Sequence, residues 1–265
     1  MRGTLTPEIE AAIAAQEDSG SSYVQCDPQL VEMAVHAVVR SAPMEREYQD
    51  AREACYEIED KEARECAFAA LNHEWFTRLR LAVPVLNALK ERPNVSARTA
   101  RCILAPAFRA RDECAELYGH ASNPSVGQPT LTIRLRPESF AGPDYVTKLL
   151  RHELMHVSDM LDPAFRYDPS PAQFLNNDGV PTVIRDRYRV LWDTYIDGRL
   201  HREGHRAGSS HEQRRTEFCL VFRTLESLAI AAFETVFAAT ALTHRQLIDF
   251  SNHPKSILEL HAAVR

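Results

Sequence analysis

The chain has no CxxC pair: its six cysteines, Cys26, Cys55, Cys66, Cys102, Cys114 and Cys219, are scattered over 265 residues. That spacing argues against a structural zinc built from cysteine and reads as reduced, mostly buried thiols. Residues 1–8, MRGTLTPE, contain no apolar signal core. A membrane-spanning run is missing too. The most apolar stretch, 225–242, carries Glu226 and Glu234, and two carboxylates in hydrocarbon would be costly. The net charge of −6 gives no electrostatic reason to expect nucleic acid or an anionic membrane as partner. These absences predict a soluble, cytoplasmic protein. No internal repeat is evident. The hydrophobic share of 45% and charged share of 26% are ordinary for a globular chain. The length allows one large domain or two small ones around a substantial core.

Against this plain background stands His152-Glu153-Leu154-Met155-His156, an HExxH sequence. Residues four apart share one face of an α-helix, so both imidazoles can reach a single metal ion. Glu153, one residue on from His152, points to the side, where it can take a proton from water at the metal. The surroundings predict a helix here. Gly142-Pro143-Asp144 is a start signal, with proline suited to the first turn. No glycine or proline follows until Pro163, while Val146, Leu149, Leu150, Leu154, Val157 and Leu161 recur at spacings of three and four. Asp162-Pro163 stops the helix. Upstream, 130–135 (TLTIRL) alternates as a strand does. A strand, a loop and an HExxH helix form the layout of zincin peptidases, in which such a strand borders the substrate cleft.

The remaining chain reads as mainly helical. A short helix over 7–16 precedes a linker-like DSGSS at 18–22. From 27 to about 119 the pattern is helical. Leu30, Met33, Ala34, Ala37 and Val38 form one stripe, 45–62 is a charge-rich solvated helix or helix pair, and Pro84 divides a longer apolar segment. A further helix is predicted over 98–118, broken near Pro106. The turn-rich NPSVGQP at 123–129 marks a boundary, 162–181 is loop-like, helix returns to about 203, and 209–242 is the longest helical stretch. The expectation is a predominantly helical α+β fold with a small sheet. It comprises an N-terminal extension (1–22), a helical region (23–127) and a zincin-like catalytic region (128–265).

Three protein ligands plus water are usual at a catalytic zinc, so a third must join the histidines. Asp162 occupies the final position of the HExxHxxGxxD pattern of metzincins, but Asp159 replaces the glycine of that pattern, and no methionine follows Met160 to form a methionine turn. Asp193 and Asp197 imitate the ExxxD of other zincins, in which one carboxylate binds zinc and the next orients a histidine. On a helical wheel, however, both fall opposite Ile184, Tyr188, Leu191 and Tyr195, with Arg189 as an ion-pair partner. Glu217 follows an expected capping box of Ser209 with Glu212, and shares a predicted apolar face with Leu220, Val221, Leu225 and Leu228. An unpaired carboxylate there would be costly; zinc, or an arginine such as Arg214, would pair it. Glu217 is the preferred ligand. Asp159 is a candidate acceptor for orienting an imidazole.

HELMHVSDMLD at 152–162 resembles the HExxHxxDML segment of the Mlc titration factor-type peptidases, and the anthrax lethal factor catalytic domain has a similar HExxHxxD. Glu217-Phe218-Cys219-Leu220-Val221 is similar to the EFFAV-like segment whose glutamate binds zinc in the titration-factor group, and the 60 intervening residues after His156 are also similar. The resemblance implies zinc held by His152, His156 and Glu217, with Glu153 as general base. It departs at Ser210, where those families place an oxyanion-stabilising tyrosine; His211, Tyr188 and Tyr195 are the substitutes on offer.

The expected function is therefore a zinc metallopeptidase acting on a peptide or protein substrate, with strand 130–135 pairing with the extended substrate. The competing expectation is a helical binding or regulatory protein with a vestigial or structural HExxH. A zinc hydrolase acting on a non-peptide amide is the third.

Overall fold

The structure, a computed structural model, describes residues 23–40, 43–119, 127–169, 181–206 and 208–262. The expected extension at 1–22 lies outside the described residues, as do most of the 123–129 connection and of the 162–181 loop. The chain is α+β and predominantly helical, with a small four-stranded sheet. It divides into two compact units, one from the described parts of Met1–Val83 with Ser96–Gly142, the other from Pro84–Val95 with Pro143–Arg265. The boundary expected at 127/128 falls inside the first unit.

The first unit contains β1 (Val24–Cys26), α1 (Pro28–Val39), α2 (Glu45–Tyr56), α3 (Lys61–Arg78), β2 (Arg101–Pro106), β3 (Cys114–Tyr118) and β4 (Thr130–Leu135). Asp27 starts α1, its side chain accepting from the Gln29 N–H at 2.8 Å, with Pro28 in the first turn. Asp60 does the same for α3 through the Ala63 N–H at 2.7 Å. Strand order is β1-β2-β4-β3, parallel except for the β3–β4 pair. Leu104, Leu131, Ile133 and Leu135 are fully buried, and α1 packs on β2. Inside the helical layer, the buried Tyr48 donates to Asn72 Oδ1 at 2.7 Å and meets Trp75 edge-on.

Two expectations fail in this unit. The helix expected over 98–118 is two strands. Cys102, Ile103 and Leu104 form a short apolar run that reads alike as helix or buried strand, and its pairing with β1 and β4 is non-local. Strand 130–135 exists as expected, but β2 and β3 occupy both of its edges. It has no open ladder with which to bind an extended substrate, so that role is withdrawn.

The second unit comprises most of α4 (Val83–Glu91), the start of α5 (Pro93–Arg98), then α6 (Pro143–Leu161), α7 (Thr182–Arg202), α8 (His211–Val221), α9 (Ala229–Ala238) and α10 (His244–Asn252). Helix α6 begins and ends where Pro143 and Asp162-Pro163 predict. The segment around α4 is tied to α6: Arg151 donates twice to Glu91, at 2.6 and 2.7 Å, and Asn94 donates to Ser158 at 2.9 Å. Helix α7 is the centre, packing against α6, α8, α9 and α10. Every residue from Val190 to Gly198 is buried. The apolar side chains Val190, Leu191, Trp192, Tyr195, Ile196 and Leu200 wrap most of its circumference, which marks a helix enclosed on several sides.

The long helix expected over 209–242 is three pieces. Helix α8 ends at Val221, a 3₁₀ stretch Arg223–Leu228 follows, and Glu226 at φ 51° breaks the path before α9. The α8 capping box is Ser210 with Gln213, one residue later than expected. No helix among the described residues is long and apolar enough to cross a membrane.

Candidate metal centre

The helical register of α6 puts His152 and His156 on one face, with Nε2 atoms 3.2 Å apart. Asp193 of α7 joins them: its Oδ1 lies 3.2 Å from His156 Nε2 and 3.4 Å from His152 Nε2. Three donor atoms thus form a nearly equilateral triangle. Ligands bound tetrahedrally at 2.0–2.1 Å sit roughly 3.3 Å from one another, so the triangle has the size of three corners around one zinc ion. Among the described residues these are the three metal-capable side chains that converge.

The partner of His152 strengthens that fit. Its Nδ1 lies 2.9 Å from Asp197 Oδ1, and an Nδ1–H donated to this carboxylate leaves Nε2 as the bare nitrogen facing the triangle. With both Nε2 atoms bare, the two nitrogens and the carboxylate oxygen would repel without a cation between them. A metal ion suits the donor set, and in its absence a proton does part of the same work. Burial lowers the His152 pKa, but hydrogen bonds to Asp193 and Asp197 outweigh it and raise the value to about 10. Burial likewise raises Asp193, yet its bonds with His152 and His156 hold it far below the usual carboxylate range.

Asp193 and Asp197 are one turn apart on α7 and are 8% and 2% exposed, so their remaining lone pairs need partners. The buried Arg214 of α8 supplies them. Its Nε donates to Asp197 Oδ2 at 2.7 Å and its NH1 to Asp193 Oδ2 at 3.2 Å. Arg189 NH1 also donates to Asp193 Oδ2, at 3.1 Å. Each aspartate thereby turns Oδ1 to histidine and Oδ2 to arginine. On the other imidazole, Trp192 stands edge-on to His156 with centroids 4.5 Å apart. Asp159 fixes that indole, accepting from Trp192 Nε1 at 2.9 Å and from Arg199 at 2.5 Å.

Glu217, the preferred third ligand from the sequence, is not in the triangle. Its Oε1 accepts from Arg189 at 2.8 Å and its Oε2 from Arg214 at 2.6 Å, and its side chain is 34% exposed. The face it was assigned is not the buried one: Leu220 is 70% exposed, while Arg214, Phe218 and Phe222 point inward. Asp162 is exposed and caps the chain after α6, accepting from the Ala164 N–H at 2.9 Å. Asp159 holds Trp192 and Arg199 rather than an imidazole. Glu153 is half-buried on α6 beside His152.

Ser210, which stands where the resemblance expects an oxyanion-stabilising tyrosine, and the three substitutes for it all have partners away from the triangle. Ser210 caps α8, His211 pairs with Glu234 at 3.6 Å, Tyr188 bonds His244 Nδ1 at 2.9 Å, and Tyr195 accepts from the Leu242 N–H at 3.2 Å. Arg214 entered the sequence reading only as a salt-bridge partner, and Trp192 did not enter it. The signal for both was the wrapping of α7 by apolar residues, which forces Asp193 and Asp197 indoors. No family model, curated protein or solved structure matches the chain.

Proposed function

We propose that the protein is a zinc-dependent metallopeptidase, with His152, His156 and Asp193 as the metal ligands and Glu153 as general base. The observation that carries this reading is the triangle of donor atoms at tetrahedral spacing on an HExxH helix, with Asp197 orienting His152. The resemblance of 152–162 to the titration factor-type peptidases supports the same class, with the ligand glutamate of that group replaced by Asp193. A zinc ion bound there would polarise a peptide carbonyl and acidify water. The chain's own groups supply the rest. Three protein ligands leave a fourth position for water or substrate. Glu153, at the flank of the histidine face, accepts a proton from the attacking water and returns it to the leaving amine. Trp192, edge-on to His156 and stacked on Phe165 with centroids 5.2 Å apart, puts an aromatic surface beside His156.

A second reading is favoured by the charge pattern: a protonated His152 satisfies Asp193 and Asp197 without any metal, which would make the network a structural element of a helical binding protein. Metal content separates the two. On the peptidase reading the purified protein carries about one zinc per chain and cleaves members of an unbiased peptide library. Glu153→Gln then retains the zinc and loses most of the cleavage. A metal-free protein that also rejects added zinc would establish the second reading, and zinc with cleavage of small amides but not of peptides would move the substrate class.

A further inference from the structure

Two buried carboxylates one helical turn apart repel each other, and a carboxylate near a metal can bind through one oxygen or two. Resting on the metal-centre reading above, we infer that Arg214 is a positioning residue for the centre. Its guanidinium takes Oδ2 of Asp193 and Oδ2 of Asp197 at once, so that each aspartate presents one fixed oxygen to the histidines.

The geometry favours arginine specifically. A planar fork with several N–H groups can span two carboxylates on a neighbouring helix, whereas an ammonium is a single point charge on a flexible stem. At 7% exposure Arg214 is shielded from solvent. Arg189 also touches Asp193, but its side chain is 56% exposed; among the described residues, Arg214 is the arginine that bonds both aspartates. Two consequences reach the metal. Asp193, with Oδ2 taken, is confined to binding through Oδ1. Asp197, with Oδ2 taken, keeps Oδ1 on His152 Nδ1–H, which holds His152 Nε2 bare. Glu217 holds the clamp from outside: it accepts from Arg214 and from Arg189, closing a ring of ion pairs through Asp193. The carboxylate that the sequence favoured as a ligand thus supports the centre at one remove.

The test uses metal-free full-length protein titrated with cobalt(II), whose visible spectrum reports coordination number, followed by competition with zinc. The variants are Arg214→Lys, Arg214→Gln and Arg151→Lys, the last weakening an ion pair of α6 that does not touch the triangle. Outer-shell partners of metal ligands are typically worth 10–100-fold in affinity. Arg214→Lys is expected to bind about tenfold more weakly and Arg214→Gln about a hundredfold. In both, the cobalt absorption should fall as Asp193 turns its second oxygen to the ion; Arg151→Lys should bind and absorb as the wild type does. Arg214→Lys keeps the buried positive charge, so the test stands on it if Arg214→Gln does not fold. Wild-type affinity and spectrum in Arg214→Lys would overturn the clamp and leave the metal centre standing. An equal loss in Arg151→Lys with no spectral change would also overturn it. Failure of the wild type to bind either ion would remove the centre itself.

Discussion

His152 and Asp197 are joined by a 2.9 Å contact from Nδ1 to Oδ1, and this bond decides which nitrogen of His152 faces the donor triangle. An acceptor at Nδ1 keeps the proton there and leaves Nε2 for a metal. Replacing the carboxylate with an amide keeps the shape but loses the charge, and it lets an NH2 group oppose the Nδ1–H. Asp197→Asn is therefore expected to retain zinc at full stoichiometry with affinity lower by about tenfold, near the lower end for outer-shell partners. Equilibrium competition with a chelator at one pH measures it. Unchanged affinity would mean that Asp197 plays no part in presenting His152.

The carboxylate beside the two histidines is the sharpest difference between the sequence expectation and the structure: Asp193, not Glu217, stands in the donor triangle. Asp193→Ala removes a donor and should weaken zinc binding severely, because two imidazoles alone hold the ion poorly. Glu217→Gln removes a charge from the outer side of Arg214 and should weaken binding far less. Asp162→Ala should leave binding unchanged. Parallel zinc titrations at constant pH give the order. Loss in Glu217→Gln with Asp193→Ala intact would restore the ligand set that the sequence resemblance implies.

What was legible in the sequence was local. The bounds of α6 follow from Pro143, from the uninterrupted residues after it and from Asp162-Pro163, and the shared face of His152 and His156 is a property of i, i+4 spacing. Asp193 and Asp197 were visible as an ExxxD-like pair. Their weight was misjudged because a wheel drawn on four residues assumed one apolar stripe, while α7 is covered on several sides. The Glu217 wheel failed for a different reason. It ran through Val221 into Leu225 and Leu228 as though one helix continued, but α8 ends there and the phase is lost. Strands β2 and β3 were hidden because their pairing is non-local: β2 pairs with β1 across 78 residues, Val24 opposite Cys102, and with β4, while β3 pairs with β4.

Gly198, directly after Asp197, lies where α7 closely approaches the backbone of α9. A Cβ at this position would lie 1.9 Å from the backbone oxygen of Phe237, so even a methyl group forces two core helices apart. Overpacking of a well-packed core typically costs 1–3 kcal/mol, and a clash with backbone belongs at or above the top of that range. Gly198→Ala is expected to destabilise the protein by about 3 kcal/mol, read as a lower urea midpoint with an unchanged slope. A change within about 0.5 kcal/mol, the range of neutral surface substitutions, would show that α7 and α9 do not pack this closely.

The Arg151–Glu91 pair supplies a pH-dependent contribution outside the donor triangle. Hydrogen bonds from Arg151 hold the Glu91 carboxyl below its ordinary value, against a smaller opposing effect of burial. A carboxyl whose pKa is lower folded than unfolded adds stability above its unfolded value of 4.5, and that contribution is lost as pH falls through the lower, folded value. The side chains are 22% and 28% exposed, so the pair is worth about 1 kcal/mol at most. Arg151→Gln should be less stable than wild type by about that amount at neutral pH, and the gap should shrink once the medium is acidic enough to protonate Glu91 in both states. Urea titrations of both proteins at neutral and acidic pH provide the comparison, run on metal-free protein so that loss of zinc in acid does not enter. A gap that widens on acidification would contradict the sign of the linkage and place the stabilising role of Arg151 elsewhere than on Glu91.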